Sequence, residues 1–418
     1  MPFPATVDAA GLVLSSLPGP FQLSGALYVV DTDAASSSTL RVFKSTDGGN
    51  TWTEQDSVNE PSVLVAGGAV GSVTDGTTIF IASLNPSGFW QVCKFNTTTD
   101  HWGTTVTTTN QRDIAVFAPA GCTAFYRATD GNIVITDTIE PTPGVTVSPA
   151  YFLFDTVANT WTAFTPCGTT GSQATGPYFQ LQSIAEGASG SCHFFFFVIG
   201  ATPSTYELVH QSFSALNVLG PIDTISTVST FGGGVFASGD GTTLAVVWQD
   251  GSNFSEVTVW QGADGSTPVW TSQNILTSGT GLNAWNITRQ NSQTLLVAAY
   301  GNGASLITFS YWLDTGSGFG TEQMLSSTIP TFAGSELYSQ PIGTNQIGCL
   351  YEGSVFFWLF TPGGGPSLPS VSPIAAGGIL PLPSTLGTLC RYARIQHCKK
   401  QPVRPMLVGN VIAFRRNL

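Results

Sequence analysis

The sequence predicts an all-β chain, a β-propeller of four-stranded blades, seven in preference to six, followed by an extended C-terminal tail. Three observations lead there. Apolar residues alternate or cluster in runs of about five to eight, such as Thr78–Ala82 and Leu244–Trp248, and no stretch has a helical period. The 47 glycines and 25 prolines punctuate those runs with turns. A turn followed by an aromatic residue recurs about every 50 to 60 residues, a period that belongs to solenoids and propellers.

The first marker is Val42-Phe43-Lys44-Ser45-Thr46-Asp47-Gly48-Gly49-Asn50-Thr51-Trp52. The second runs from Phe95 to Trp102 and the third from Phe154 to Trp161; weaker ones fall near Asn217, at Trp270 and at Phe319. Between markers a unit opens with a small-residue strand (Val63 to Val73) and continues with a fully apolar one (Thr78 to Ala82). A strand entering the turn (Gln91 to Phe95) and an outer strand led by Trp102 complete it. That is the content of a propeller blade counted from the axis outward. Six units fit between Gly11 and Leu325, and Glu336 to Phe360 supplies most of another. The N-terminal stretch Thr6 to Leu14 is expected to complete that last blade and close the ring. The divergent segment Tyr206 to Ile222 can also be read as an insertion, which leaves six blades.

Charge divides the chain into two regions, a propeller over 1–362 and a Pro/Gly-rich linker with a basic anchoring tail over 363–418. Residues 1–362 hold six Lys and Arg against all 25 Asp and Glu; residues 363–418 hold seven against none. The longest apolar runs, such as His193 to Ile199, are strand-sized and fall short of the roughly 18 residues a spanning helix needs. No membrane span is expected. The N-terminus lacks the basic start and continuous apolar stretch of a secretory signal. Seven scattered cysteines form no disulfide framework; five of them read as buried free thiols, and a local bond between Cys390 and Cys398 is left open.

Ser45-Thr46-Asp47-Gly48-Gly49-Asn50-Thr51-Trp52 resembles the Asp-box (BNR repeat) of sialidase-type propellers, Ser/Thr-x-Asp-x-Gly-x-Thr-Trp. Ser45, Asp47, Gly49, Thr51 and Trp52 carry the match; the turns before Trp102 and Trp161 look more kelch-like. The resemblance implies a rim turn in which Asp47 accepts hydrogen bonds from its own backbone and Trp52 packs back over the hairpin. It marks a fold and lies away from any active site in the families that carry it.

Sialidase chemistry, as the resemblance implies it, rests on three converging arginines, a Tyr–Glu pair, an acid/base Asp and an Arg-Ile-Pro segment. This body has Arg41, Arg112, Arg127 and Arg289 and no Arg-Ile-Pro. Tyr206-Glu207 and Glu336-Leu337-Tyr338 are acid–phenol neighbours that chance supplies. Stretches taken as inner strands, Gly67–Val73, Ala115–Gly121, Gly232–Gly239 and Tyr338–Thr344, contain no charge, and only Asp113, Glu186 and Glu336 flank them. His101, His193, His210 and His397 are far apart in the chain, so no metal and no cofactor is expected, and no catalytic residue.

In the tail, Leu368, Val371, Ile374, Ile379, Leu380 and Leu382 recur through a Pro-rich course that disfavours helix. Arg391, Tyr392, Arg394, Lys399, Lys400, Arg404, Arg415 and Arg416 make its end basic, around a strand-like Leu407 to Phe414. Such a segment suits the acidic surface of a neighbouring subunit better than nucleic acid, since Tyr392 alone offers stacking. The expected function is therefore a non-catalytic binding and structural module displayed on a larger assembly, a virion (phage or virus), through its C-terminal arm. Its other face would meet host surface glycans, with Phe89-Trp90 and Trp285 as candidate contacts. The alternative is an extracellular Asp-box glycoside hydrolase.

Overall fold

In the computed structural model the described residues are 5–8, 19–32, 39–63, 70–111, 123–142, 146–167, 171–172, 178–199, 206–228, 235–248, 256–276, 282–301, 306–330, 337–351 and 355–362. All belong to the unit Met1–Ser370. They form seven antiparallel sheets, each strand pairing with the next, with no α-helix among them. No helix there is long and apolar enough to cross a membrane.

Blade 1 comprises Phe21–Leu23, Ala26–Thr32, Leu40–Ser45 and Thr53–Gln55; blade 2 Val70–Thr74, Thr78–Leu84, Phe89–Asn96 and an outer layer of His101–Trp102 and Val106–Gln111. Blade 3 runs Thr123–Arg127, Asn132–Thr142, Thr146–Asp155, with Thr160–Trp161, Thr165–Pro166 and Gly171–Ser172 outside. Blade 4 is Tyr178–Glu186, Cys192–Ile199, Tyr206–Phe213 and Leu219–Val228; blade 5 Phe236–Gly239, Thr243–Trp248, Glu256–Ala263 and Thr271–Leu276. Blade 6 is Leu282–Gln290, Gln293–Gly301, Leu306–Asp314 and Gln323–Pro330. Blade 7 takes Leu337–Ile342, Gln346–Tyr351 and Val355–Phe360 from one end of the chain and Ala5–Asp8 from the other, Ala5 opposite Phe357 and Thr6 opposite Phe356. Seven blades, closed by the N-terminus, is the expected count. Tyr206 to Ile222 is no insertion: it supplies the third strand and the start of the fourth in blade 4.

The second strand of each blade lies between two neighbouring blades, which explains its unbroken apolar run. Ala26–Thr32 is buried throughout, and Leu244 to Trp248 are fully inaccessible. Between blades 6 and 7 the rings of Phe309 and Tyr351 meet at 4.8 Å and those of Tyr311 and Phe360 at 5.0 Å. Full burial of such side chains is worth about 1.5–3 kcal/mol each. Trp90 and Trp285 belong to this core, 0% and 6% exposed, so they are not loop contacts for a ligand. Continuous packing on both sides of a blade leaves little room for a large aromatic to point elsewhere.

A four-stranded meander puts its first–second and third–fourth turns at the same end, so these hairpins from all blades share one face. Asp100, Asn159 and Asn217 sit at matching third–fourth turns of blades 2, 3 and 4 with φ of 56°, 58° and 63°. Asn and Asp tolerate this left-handed backbone better than other non-glycine residues. The aromatic that follows starts the outer strand: Trp102 pairs with Phe95, Trp161 with Phe154, and Phe319 bridges to Asp314.

One expectation needs correction here, and two fall partly or wholly outside the described residues. The opening strand of blade 2 is described over Val70–Thr74; Val63 is in no strand, and 64–69 lie outside the described residues. The first strand of blade 3 is Thr123–Arg127, and Ala115–Gly121 lies outside the described residues. Inner strands are not free of charge: Arg127, Glu186 and Arg289 lie in the first strands of blades 3, 4 and 6. The tail residues from Arg391 to Arg416, Asp113, Arg112 and Glu336 lie outside the described residues.

Candidate functional site: a cleft between blades 5 and 6

Asp240 in the first turn of blade 5 and Arg289 near the end of the first strand of blade 6 face each other across the blade boundary. Arg289 Nη2 and Nε donate to Asp240 Oδ2 at 2.8 and 3.3 Å. Arg289 Nη1 donates to Thr294 Oγ1 at 2.6 Å and to Gln261 Oε1 at 3.3 Å, while its backbone N–H reaches Ser238 Oγ at 2.9 Å. Further out, Gln261 Nε2 donates to Asp314 Oδ2 at 2.7 Å, and the Phe319 amide donates to Gln273 Oε1 at 2.9 Å.

These links frame a cleft of about 410 Å³ lined mostly by polar groups, among them Gln261, Thr271, Ser272, Gln273, Arg289 and Asp314. Ligand pockets typically have volumes of about 300–1,000 Å³. The cross-blade bonds hold the lining side chains in place before any ligand arrives.

Asp314 in the cleft wall and Asp240 behind Arg289 are both ionised. Burial works against the charge of Asp240, but hydrogen bonds from Thr242 and the Thr243 amide, together with Arg289, outweigh it and bring the pKa down to about 2. Burial likewise opposes Asp314, and Gln261 with the Gly316 and Gly318 amides lowers its pKa. Gly316, at φ 106°, adopts a conformation that turns its N–H toward Asp314 Oδ1 at 2.7 Å. With one cation between two anions, the cleft offers hydroxyl, amide and carboxylate groups but no net positive charge.

Glu186 ends the first strand of blade 4, at the boundary with blade 5. Although the residue is exposed, partial desolvation of its carboxyl raises the pKa, and the charge of Asp240 adds to the effect. A Cβ on Gly239 would come within 2.0 Å of the Glu186 carbonyl oxygen, so the inner strands of blades 4 and 5 meet at backbone distance.

The other sequence-predicted positions lie elsewhere. Asp47 Oδ1 accepts from Ser45 Oγ (2.8 Å), the Asn50 amide (3.0 Å) and the Thr51 amide (2.9 Å), and Oδ2 from Thr51 Oγ1 (2.7 Å). Burial alone would raise its pKa; these bonds lower it. Trp52 Nε1 returns to the Gly49 carbonyl at 3.1 Å, and Ser45 Oγ takes the Gly49 amide at 2.8 Å. The turn is a self-contained structural unit in blade 1.

Arg41, Arg127 and Arg289 are held apart by their own partners. Arg41 meets Asp31 at 3.5 Å in blade 1, and Arg127 Nε donates to Asp130 at 2.9 Å in blade 3. Arg127 Nη1 also donates to Asn217 Oδ1 of blade 4 at 2.8 Å, under the ring of Phe213. No three described His, Cys, Asp or Glu residues cluster as metal ligands would. Cys93, Cys167, Cys192 and Cys349 are buried free thiols.

Two histidines correct the sequence reading. Although 17 residues separate them in the chain, His193 Nδ1 and His210 Nε2 lie 2.7 Å apart, because the second and third strands of blade 4 pair Phe195 with His210 and place His193 diagonally beside it. Neither this pair nor the cleft residues carried a motif. The cleft draws Gln261, Gln273, Arg289 and Asp314 from two blades, and only the packing of one blade on the next brings them together.

No protein-family model matches the sequence, and no curated protein does. Solved structures do match in fold, and the class they define with this geometry is the β-propeller. An ulvan lyase, a polysaccharide lyase, superposes with a TM-score of 0.56 over 86% of this chain and 94% of its own at 10% identity. An α-L-arabinanase from Penicillium chrysogenum gives 0.46 at 12% identity, over 86% of this chain and 99% of its own. The fucose-specific lectin of Aleuria aurantia gives 0.44 at 15% identity, over 79% and 100%. The expectation that the chain is not an enzyme is overturned. The ulvan lyase shows that this architecture, over nearly its whole length, hosts catalysis. The supposedly uncharged inner strands, the ground for that expectation, carry Arg127, Glu186 and Arg289.

Proposed function

We propose that this propeller recognises a carbohydrate, and that the cleft between blades 5 and 6 is where it does so. The single observation that carries the reading is the lining of that cleft. Gln261, Gln273, Thr271, Ser272 and Asp314 present donors and acceptors to a ligand rich in hydroxyls, in a space of about 410 Å³ that suits one or two sugar rings. A nucleic acid or another polyanion is disfavoured by the two ionised carboxylates and by the acidic body as a whole. Likeness of fold to a polysaccharide lyase is compatible with this reading.

The basic segment 363–418 supports attachment to an acidic partner in an assembly, since its seven cations face no acidic residue of their own segment. The virion setting draws support from the low charge of the strands and their wealth of Gly, Ser and Thr.

Calorimetric titration of the full chain with neutral oligosaccharides, and with sulfated or uronic ones for contrast, tests the carbohydrate reading. A neutral sugar should bind, and Gln273→Ala should weaken it about tenfold, the loss of one or two hydrogen bonds, with the melting temperature unchanged. Binding that is indifferent to Gln273→Ala, or preference for the anionic sugars, would rule this cleft out.

A further inference from the structure

Where blades 4 and 5 meet, four side chains form a line around two buried histidines: Asp264, His193, His210 and Asp223. His193 Nε2 lies 2.9 Å from Asp264 Oδ1, His193 Nδ1 2.7 Å from His210 Nε2, and His210 Nδ1 2.6 Å from Asp223 Oδ1. Both imidazoles are almost inaccessible, 1% and 0% exposed. Each of the three contacts needs one hydrogen between its heavy atoms. Two neutral imidazoles bring only two. With two protons, one contact would set lone pairs against each other in a buried site, and the shortest of the three would be among those at risk.

The carboxylates at the ends are already served as anions. Asp264 Oδ2 accepts from the Ala188 amide at 2.6 Å, and Asp223 Oδ2 from Trp270 Nε1 at 2.9 Å. Such bonds favour the ionised carboxylate, so the third proton belongs to the imidazole pair.

We propose that the Asp264–His193–His210–Asp223 line holds one proton beyond those of two neutral imidazoles and acts as a pH-sensitive latch between blades 4 and 5. Asp223, His193 and His210 belong to blade 4, whereas Asp264 and Trp270 flank the third–fourth turn of blade 5. That turn leads directly into Thr271, Ser272 and Gln273, the outer wall of the cleft. On deprotonation the extra proton leaves to solvent, and a bare imidazole nitrogen then opposes a carboxylate. The groups packed around the pair are Phe195 on its own strand, Trp270, and Gly187 and Ser191 from the first turn of blade 4; the charged groups facing it are Asp223 and Asp264.

The linkage has two limbs. In the unfolded chain both histidines titrate near about 6.5. Above that pH the folded state binds more protons than the unfolded one, so stability falls as pH rises. On the acid side, burial and then the neighbouring His210 hold the pKa of His193 down at about 4, against the pull of Asp264. Between about 6.5 and 4 the unfolded chain therefore takes up two protons to the folded state's one, and stability falls as pH falls. The latch contributes most near pH 6.5.

The test uses the full-length chain carrying His101→Gln and His397→Gln, so that the buried pair alone reports. Imidazole ¹⁵N spectra at pH 8 should show one imidazole protonated on both nitrogens and one neutral imidazole protonated at Nε2. Two neutral imidazoles at pH 8 would overturn the proposal. In a third step, Asp223→Asn offers an amide that can pair with a neutral imidazole, so the doubly protonated signal should vanish at pH 8 and the fall in melting temperature from pH 6.5 to 8.5 should flatten. Persistence of that signal in a folded Asp223→Asn protein would also overturn it; if that variant does not fold, the wild-type spectrum decides alone.

Discussion

Arg289 of blade 6 and Asp240 of blade 5 are joined at 2.8 Å across a blade boundary, with side chains 5% and 17% exposed. Arg289 lines the cleft and also donates to Thr294 and Gln261. Its geometry is that of a buried charge pair supported by additional hydrogen bonds, in which loss of one member strands the other.

Asp240→Ala should therefore destabilise the fold by about 3–5 kcal/mol, measured by urea unfolding at pH 7. The pH dependence follows in sign. The pKa of Asp240 is lowered to about 2 in the folded state, so its contribution is complete above the unfolded value of about 3.9 and is lost as pH falls from there through 2. Unfolding curves of wild type and Asp240→Ala should draw closer over that interval. Parallel curves down to pH 2 would count against the assignment.

Gly239→Ala should cost about 1–3 kcal/mol, the usual range for overpacking a tight interior. The added methyl meets the Glu186 carbonyl oxygen, a backbone atom that cannot rotate away, and the Leu244 side chain at 3.1 Å. Thermal denaturation of the variant checks it; an unchanged melting temperature would show that blades 4 and 5 separate freely.

In blade 1, Asp47→Ala removes the acceptor of four hydrogen bonds within a solvent-exposed turn. Because water can replace most of them, the expected loss is near the low end of the range for hydrogen bonds, about 1 kcal/mol. Sugar titration of the same variant should match wild type, since the turn serves the fold of its blade.

A chain ending at Pro362 should melt at the same temperature as the full protein, because both strands that close blade 7 are retained. It should fail to join its assembly, and full-length attachment should weaken as salt shortens electrostatic range to below about 8–10 Å. Normal incorporation of the shortened chain would remove the anchoring role from 363–418.

Much of the architecture was legible before any coordinates. The recurrence of Trp102 and Trp161 after turns reflects a local requirement shared by blades 2 and 3: a left-handed residue, Asp100 or Asn159, ends the turn, and the next strand carries an aromatic that covers the hairpin; Trp52 of blade 1 follows a glycine turn. The continuous apolar second strands announced burial on both faces. Even the closing strand near Thr6 was visible, because the last unit lacked a fourth strand. Where the reading failed, it depended on register or on neighbours. The charge that Arg127 brings to the first strand of blade 3 was missed, because the bounds of a strand along an apolar stretch are invisible in composition.

The sequence by itself determined that this chain repeats a four-stranded unit, closes on itself and carries its positive charge apart from its acidic body. These are properties of local pattern and of count. Only the tertiary structure decided which polar groups meet: His193 with His210 through the pairing of two strands, and Asp240 with Arg289 through the packing of two blades. Hydrogen bonds and ion pairs act over about 3 Å, whereas the partners stand 17 and 49 residues apart in the chain, and only strand pairing within a blade and packing between blades convert that separation into contact.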